Sequence, residues 1–301
     1  MTDKQGCTGP VGEPPVEPGL CERLERCEVV YYPVSPFALP QGDDQRFLLD
    51  QKLARGSHKN ISFDPYKDRL TNYHKHSPGQ GARLRDLIRN FSRQATAWLS
   101  TVLPEYAAAW QLDRATLRPE EEATRRLRLT ARNDLLHVDA FPTRPTNGRR
   151  ILRLFANVNP SEPRIWVTSE PFARLLDRYG REVGLPARSG LPWTARLHDQ
   201  VGRLFDPERP PRSVYDDFML RFHGFLKANN TFQEHCPKRY WTFPPGSVWV
   251  AFTDAVCHAV LRGRSALEHS YFVPPESLHM PAGAPAACLQ RACGRPVLNA
   301  A

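Results

Sequence analysis

The chain has 301 residues and a mass of 34.3 kDa, with 41% hydrophobic and 24% charged residues, which excludes full disorder and leaves room for one large domain or two small ones. No apolar run approaches the roughly 20 residues that span a bilayer, and MTDKQGCTGPVGEPP lacks the basic-then-apolar order of a secretory signal, so a cytoplasmic protein is expected. Lys+Arg number 41 against 32 Asp+Glu, for a formal charge of +9, and only 7 of the 41 are Lys, leaving 34 Arg.

Residues 1–28 are rich in Gly, Pro and Glu and read as a loose leader. Residues 29–125 read as a mostly helical part packed on a core. Within it Leu84, Leu87, Ile88, Phe91, Ala95, Trp98, Leu99 and Val102 recur at helical spacing over about five turns, between Pro78-Gly79 and Pro104. The aromatic members of this stripe are core residues rather than cofactor contacts.

From 126 to 280 the pattern changes to short strands. Residues 149–159 alternate, with Ile151, Arg153, Phe155, Asn157 and Asn159 on one face and Leu152, Leu154, Ala156 and Val158 on the other. A strand at 164–169 follows the turn NPSEP. Helices are expected at 171–183 and at 212–229, the latter through Tyr215, Phe218, Met219, Phe222 and Leu226. Strands close the series at 247–252, after PPG, and at 265–273. Residues 281–301 read as a weakly ordered tail. Strands broken by one helical insert fit a sandwich or barrel and not a doubly wound sheet. Neither G-x-G-x-x-G nor G-x-x-x-x-G-K-[ST] occurs.

The seven cysteines, Cys7, Cys21, Cys27, Cys236, Cys257, Cys288 and Cys293, are odd in number and contain no C-x-x-C pair. They read as reduced, structurally incidental thiols.

His137-Val138-Asp139 is an H-x-D. In a strand, residues i and i+2 share a face, so the imidazole and the carboxylate can address one atom. A second histidine, His258, lies 119 residues beyond Asp139, just after the strand FPPGSVWVAF. Two His and one carboxylate with three open positions form the facial triad of non-haem Fe(II) oxygenases, and these three are the expected metal ligands and catalytic residues. A 2-oxo acid co-substrate then needs a cation for its far carboxylate, best supplied by the fork of an arginine. Arg264, six residues past His258, and Arg153, on the polar strand face beside Asn157, compete for that role. His74 and His76 form an H-x-H in a polar loop without a third ligand. His223, His235 and His269 read as ordinary structural or surface histidines, and Asp254 as a residue that holds its loop through backbone hydrogen bonds.

LLHVDAFPTRPTNGRRILRLFANVNP together with FPPGSVWVAFTDAVCHAVLRGRSALE resembles the Kdo 3-hydroxylases, bacterial Fe(II)/2-oxoglutarate dioxygenases acting on 3-deoxy-D-manno-octulosonic acid (Kdo) of the lipopolysaccharide inner core. The resemblance covers roughly residues 55–275. It implies a double-stranded β-helix (jelly-roll, cupin-like) core with N-terminal helices, Fe(II) as cofactor, 2-oxoglutarate and O₂ as co-substrates, and hydroxylation at C3 of Kdo. It also implies His137, Asp139 and His258 as metal ligands, with Arg264, Arg153 and Asn157 toward oxoglutarate. Arg118, Arg144, Arg149, Arg150 and Arg164 are the arginines offered toward the substrate, and Lys238 and Arg239 are further candidates.

The basic balance agrees with Kdo-lipid A, an anionic glycolipid, as partner, reached by peripheral contact with the cytoplasmic face of the inner membrane. GC-rich coding bias gives the same arginines, and 29 prolines, without purpose; the two explanations weigh equally. Two other functions compete: a metal-dependent isomerase or hydrolase on the same fold, and a basic nucleic-acid binder. The latter lacks any helix-turn-helix, zinc-finger or RNP-like motif, so no nucleic acid is expected. The oligomeric state is left open.

Overall fold

The computed structural model describes residues 19–57, 60–75, 79–125, 127–186, 190–205 and 209–299. In chain order the first part runs α1 (Leu20–Glu25), β1 (Val30–Tyr32), α2 (Gly42–Leu49), β2 (Ile61–Asp64), β3 (Arg69–Thr71), α3 (Gln80–Val102), α4 (Pro104–Ala107) and β4 (Gln111–Arg118). Next come β5 (Arg150–Asn157), β6 (Arg164–Thr168), α5 (Phe172–Val183), α6 (Trp193–Phe205), α7 (Val214–Ala228) and α8 (Asn230–His235). The chain ends with β7 (Arg239–Phe243), β8 (Val248–Phe252), β9 (His258–Arg262), β10 (Ala266–Val273) and α9 (Pro285–Cys293).

The strands form two antiparallel sheets, a seven-stranded one ordered β1-β8-β5-β10-β4-β2-β3 and a three-stranded one ordered β7-β6-β9. In β5 both faces are buried, and the expected alternation separates two different surroundings. Leu152, Leu154 and Ala156 pack outward with Val250, Phe252 and Leu267 against Leu84, Ile88, Phe91, Ala95 and Leu99 of α3. Each fully buried leucine or isoleucine in that layer contributes about 1.5–3 kcal/mol.

Phe155 faces inward with Trp249 and Ala251, against Trp166, Phe243 and Val260 of the smaller sheet. Phe243 and Trp249 stack at 3.9 Å, and Phe155 lies over Trp249 at 5.4 Å. Two sheets joined face to face by this aromatic wedge make the double-stranded β-helix. The far side of the smaller sheet carries Val167 and Ala259, covered by α5, α7 and α9 through Leu175, Phe218, Phe222 and Leu289.

The long helix, the helices after 171 and 212, and the strands in 149–159, 164–169, 247–252 and 265–273 form where the sequence places them. Three expectations need correction. The part 29–125 holds α2, α3 and α4 but is more than a helical layer on the core: β1 pairs with β8 and β4 with β10, so it completes the main sheet. Strands of three or four residues are too short to show a period, and β4 carries Asp113, Arg114 and Arg118 within its alternation. The end of the leader is not loose, because α1 buries Leu20 and Leu24, and Glu25 accepts Tyr106 Oη–H at 2.6 Å and two backbone N–H groups at 279 and 280. The tail is not weakly ordered, since α9 buries Leu289 and the chain beyond it buries Val297. The described cysteines are free thiols; Cys7 and His76 lie outside the described residues.

Candidate metal centre

An antiparallel backbone bridge brings the two halves of the H-x-D…H pattern together. His137 N–H donates to His258 O at 3.0 Å and His258 N–H to His137 O at 2.9 Å. Such a pair points both side chains to one side, and Asp139, two residues on, joins them. Asp139 N–H is held by Thr253 O at 2.8 Å, at the end of β8. The three side chains are buried, and one ligating atom from each lies within 4.8 Å of the others. His137 Nε2 is 3.5 Å from Asp139 Oδ1.

The tautomers are set by the backbone. His137 Nδ1 faces Leu135 O at 2.7 Å and His258 Nδ1 faces Val256 O at 2.9 Å. A carbonyl only accepts, so Nδ1 carries the proton in both rings and the Nε2 lone pairs are free to ligate. Burial holds both imidazoles neutral: it lowers His137 well below its ordinary value and His258 to about 4. Burial alone would raise Asp139, but the Arg153 guanidinium beside it outweighs that and keeps the carboxyl well below the usual range. Two neutral imidazoles and one carboxylate, buried and mutually aimed, fit a divalent iron that keeps open positions for further ligands.

Packing fixes the rings. Trp166 stacks on His258 at 5.1 Å and 19°, while His223 meets His137 edge-on at 4.9 Å. His223 Nδ1 lies 2.8 Å from Val138 O, between His137 and Asp139. The following turn is pinned by α7. Its capping box pairs Ser213 with Asp216, and Asp216 Oδ1 also accepts N–H from Thr146 at 2.7 Å and from Asn147 at 3.2 Å. His223 was read from sequence as ordinary, and its place two turns into α7 carries no local signal of this contact.

Around the triad the inner face of the larger sheet is charged. Arg153 donates to Asp139 Oδ2 and to Glu268 Oε1. Arg118 holds Glu268 Oε2 at 2.6 Å and lies 3.4 Å from Glu122, and Arg164 lies 3.6 Å from Glu122 while donating to Gly263 O at 2.6 Å. Burial lowers both Arg153 and Arg164 to about 10, so both stay protonated at neutral pH. Glu268 escaped the sequence reading, although SALEHSYFV places Ala266, Glu268 and Ser270 on one face, the signal that singled out Arg153 on its own strand.

Of the arginines offered from sequence, Arg153 reaches the centre, and Arg118 and Arg164 lie in the buried network behind it instead of on a substrate-facing surface. Arg150 is a correction: it is fully buried, donates Nε–H to Asp254 Oδ2 at 2.8 Å and lies over Phe252 at 4.0 Å. Asp254 therefore serves an ion pair as well as its loop. Asn157 is a second correction. Its amide donates to Glu162 O at 2.9 Å and Phe243 O at 3.0 Å, and its oxygen accepts Asn159 N–H at 3.0 Å, so it ties strand ends together and both its amide hydrogens are spent, with none left for a carboxylate.

Arg264 is exposed in the β9–β10 turn, where it lines a groove of about 1270 Å³ with Glu120, Glu121 and Arg83. None of His137, Asp139 and His258 lines that groove. Arg144, paired with Asp113, and Arg149, donating to Gln111 at 2.9 Å, share a separate surface groove of about 180 Å³. Lys238 and Arg239 lie at the surface near Trp241.

A double-stranded β-helix holding a 2-His-1-carboxylate triad between its sheets defines a non-haem Fe(II)- and 2-oxoglutarate-dependent dioxygenase. The sequence profile of the 3-deoxy-D-manno-oct-2-ulosonic acid (Kdo) hydroxylases matches residues 10–296. Solved structures agree. The apo Kdo hydroxylase KdoO, a non-haem Fe(II) α-ketoglutarate-dependent dioxygenase, is 32% identical with a TM-score of 0.81, over 92% of this chain and 90% of that one. KdoO with cobalt(II) is 31% identical with a TM-score of 0.83, over 93% and 91%. KdoO with α-ketoglutarate and Fe(III) is 31% identical with a TM-score of 0.81, over 92% and 90%. Against the curated proteins nothing matches at a significant level. The chain belongs to the Kdo hydroxylase family.

Proposed function

We propose that the chain hydroxylates C3 of a Kdo sugar carried on lipid A, with His137, Asp139 and His258 holding Fe(II) and Arg153 anchoring the distal carboxylate of 2-oxoglutarate. The bridge between His137 and His258, with both Nε2 lone pairs free and Asp139 beside them, is the observation that carries the metal assignment. When bound, iron together with oxoglutarate and O₂ supplies the oxidation that replaces a C–H by C–OH and releases succinate and CO₂.

This chain's residues do the rest. In the buried network Asp139, Glu122 and Glu268 face Arg118, Arg153, Arg164 and, 3.6 Å from Glu122, Arg125. Each of its anions is already compensated, and a dication and a dianionic 2-oxo acid that enter together add no net charge. Neutrality matters because an uncompensated charge in such a site is expensive. Arg153 is the cation in contact with a ligand carboxylate, and its Nε is buried without a hydrogen-bond partner among the described residues. A charge-assisted fork at that point is suited to a second carboxylate. Arg264, exposed on the outer groove, has no support for this role.

Kdo carries a carboxylate and its lipid A carrier carries phosphates, which suits the excess of arginine. The reading places the chain at the cytoplasmic face of the inner membrane, and among the described residues no helix is long and apolar enough to cross a membrane. Its test is mass spectrometry of inner-core lipid from cells with and without the protein. One extra oxygen on Kdo in the first and none in the second is expected; identical Kdo in both would refute it.

A further inference from the structure

We propose that α6 is a docking surface for an anionic lipid bilayer. The inference rests on the lipid A reading for its occupant and on the helix itself for its place. In α6 the apolar residues Trp193, Leu197, Val201 and Leu204 fall, at about 100° per residue, within an arc of about 80°. A globular helix turns such a stripe to the core, yet these four are 76%, 52%, 44% and 80% exposed. The opposite side is the packed one: Asp199 is buried, and Ala195 and Gly202 are half-buried. The helix is attached by its polar edge and offers its apolar edge to the surroundings.

Charge selects the occupant. Arg196 and Arg203 are exposed along one border of the stripe, and Asp199, the one acidic residue in α6, is turned inward. Arginine stems can lie along a lipid surface with their heads among phosphates, and an exposed tryptophan suits the headgroup layer. A two-fold pairing with a second copy through the same stripe would instead bring these arginines toward their own counterparts.

The helix is also wired to the metal centre. Asp199 accepts Arg212 N–H at 3.2 Å and lies 3.5 Å from Arg209, and both arginines donate to Pro142 O, at 2.7 and 3.0 Å. Pro142 is three residues past Asp139. A surface held on a bilayer through α6 thus sits on the same connected segment as the ligand that faces the reaction.

The test uses the full chain, sedimented with vesicles of phosphatidylethanolamine and phosphatidylglycerol and, separately, of phosphatidylcholine. The intact protein should pellet with the anionic vesicles in a salt-sensitive way, with a blue shift in tryptophan emission that Trp193→Phe removes. Leu197→Glu with Leu204→Glu should weaken binding by more than about tenfold, and Arg196→Glu with Arg203→Glu by at least about fivefold. All variants should oxidise a water-soluble Kdo glycoside at the normal rate while losing turnover of vesicle-borne Kdo-lipid A.

Absence of vesicle binding by the intact chain, or unchanged binding by the double glutamate variant, would overturn the proposal. So would light scattering that shows a dimer which the glutamate variant splits, without any binding to vesicles. Vesicle binding through α6 by a protein that leaves soluble Kdo unoxidised would support the docking surface and overturn the substrate reading alone.

Discussion

Arg153→Met separates the two tasks assigned to this side chain, because methionine keeps most of the stem and removes the charge. In the apo protein the change leaves Asp139 and Glu268 buried without the cation between them. Breaking a buried pair by deleting one partner costs about 3–5 kcal/mol, and Glu268 retains Arg118 at 2.6 Å, so the lower end of that range is expected. A divalent metal at Asp139 supplies positive charge at the same place, so part of the loss should return when Co(II) is added. The effect on co-substrate is separate. Losing a charge-assisted fork removes about 1.5–3 kcal/mol, which raises the oxoglutarate concentration for half-maximal turnover roughly 10- to 150-fold. Urea unfolding with and without Co(II), and oxoglutarate titration monitored by succinate, measure the two parts. Arg264→Ala serves as the control and should change neither. A half-saturating concentration within about threefold of normal in Arg153→Met, or a large rise in Arg264→Ala, would refute the assignment.

His137→Ala, Asp139→Ala and His258→Ala should each abolish turnover and lower bound iron, checked by metal analysis of the folded protein; a variant with normal iron and activity would remove that residue from the triad. Zinc accepts the same ligands but has no accessible redox change, so it should inhibit in proportion to occupancy. Burial lowers His258 to about 4 and His269 to about 3, so the unfolded chain binds protons first. Their contribution is complete above about pH 6.5 and is lost as pH falls toward 4, at up to about 1.4 kcal/mol per pH unit for each histidine. Urea unfolding at successive pH values should give a smaller loss in His269→Gln than in the parent. Arg150→Met should destabilise by about 3–5 kcal/mol, since Asp254 is left buried and unpaired, without changing the oxoglutarate requirement at permissive temperature.

What the sequence disclosed followed from periodicity. An H-x-D puts an imidazole and a carboxylate on one face whatever the strand pairs with, and the alternation through Arg153 marks one side of β5 as polar. Arg264 ends at the surface although it is close to His258 in sequence, because distance along the chain says nothing about direction. Gly263 and Ser265, on either side of it, both adopt positive φ, and the tight turn they make carries Arg264 to the surface. Asn157 was misread because a polar residue near a strand end also satisfies loop carbonyls. The strands before residue 111 are too short for a period, and the stripe of α6 escaped because its amphipathic face is turned away from the core.

Incubation of the protein with Fe(II), 2-oxoglutarate, Kdo-lipid A and ¹⁸O₂ tests the central claim most directly. One labelled oxygen on Kdo and one in succinate are expected, with product strictly dependent on both O₂ and oxoglutarate. Hydroxylated Kdo formed without oxygen, or carrying oxygen drawn entirely from water, would contradict it.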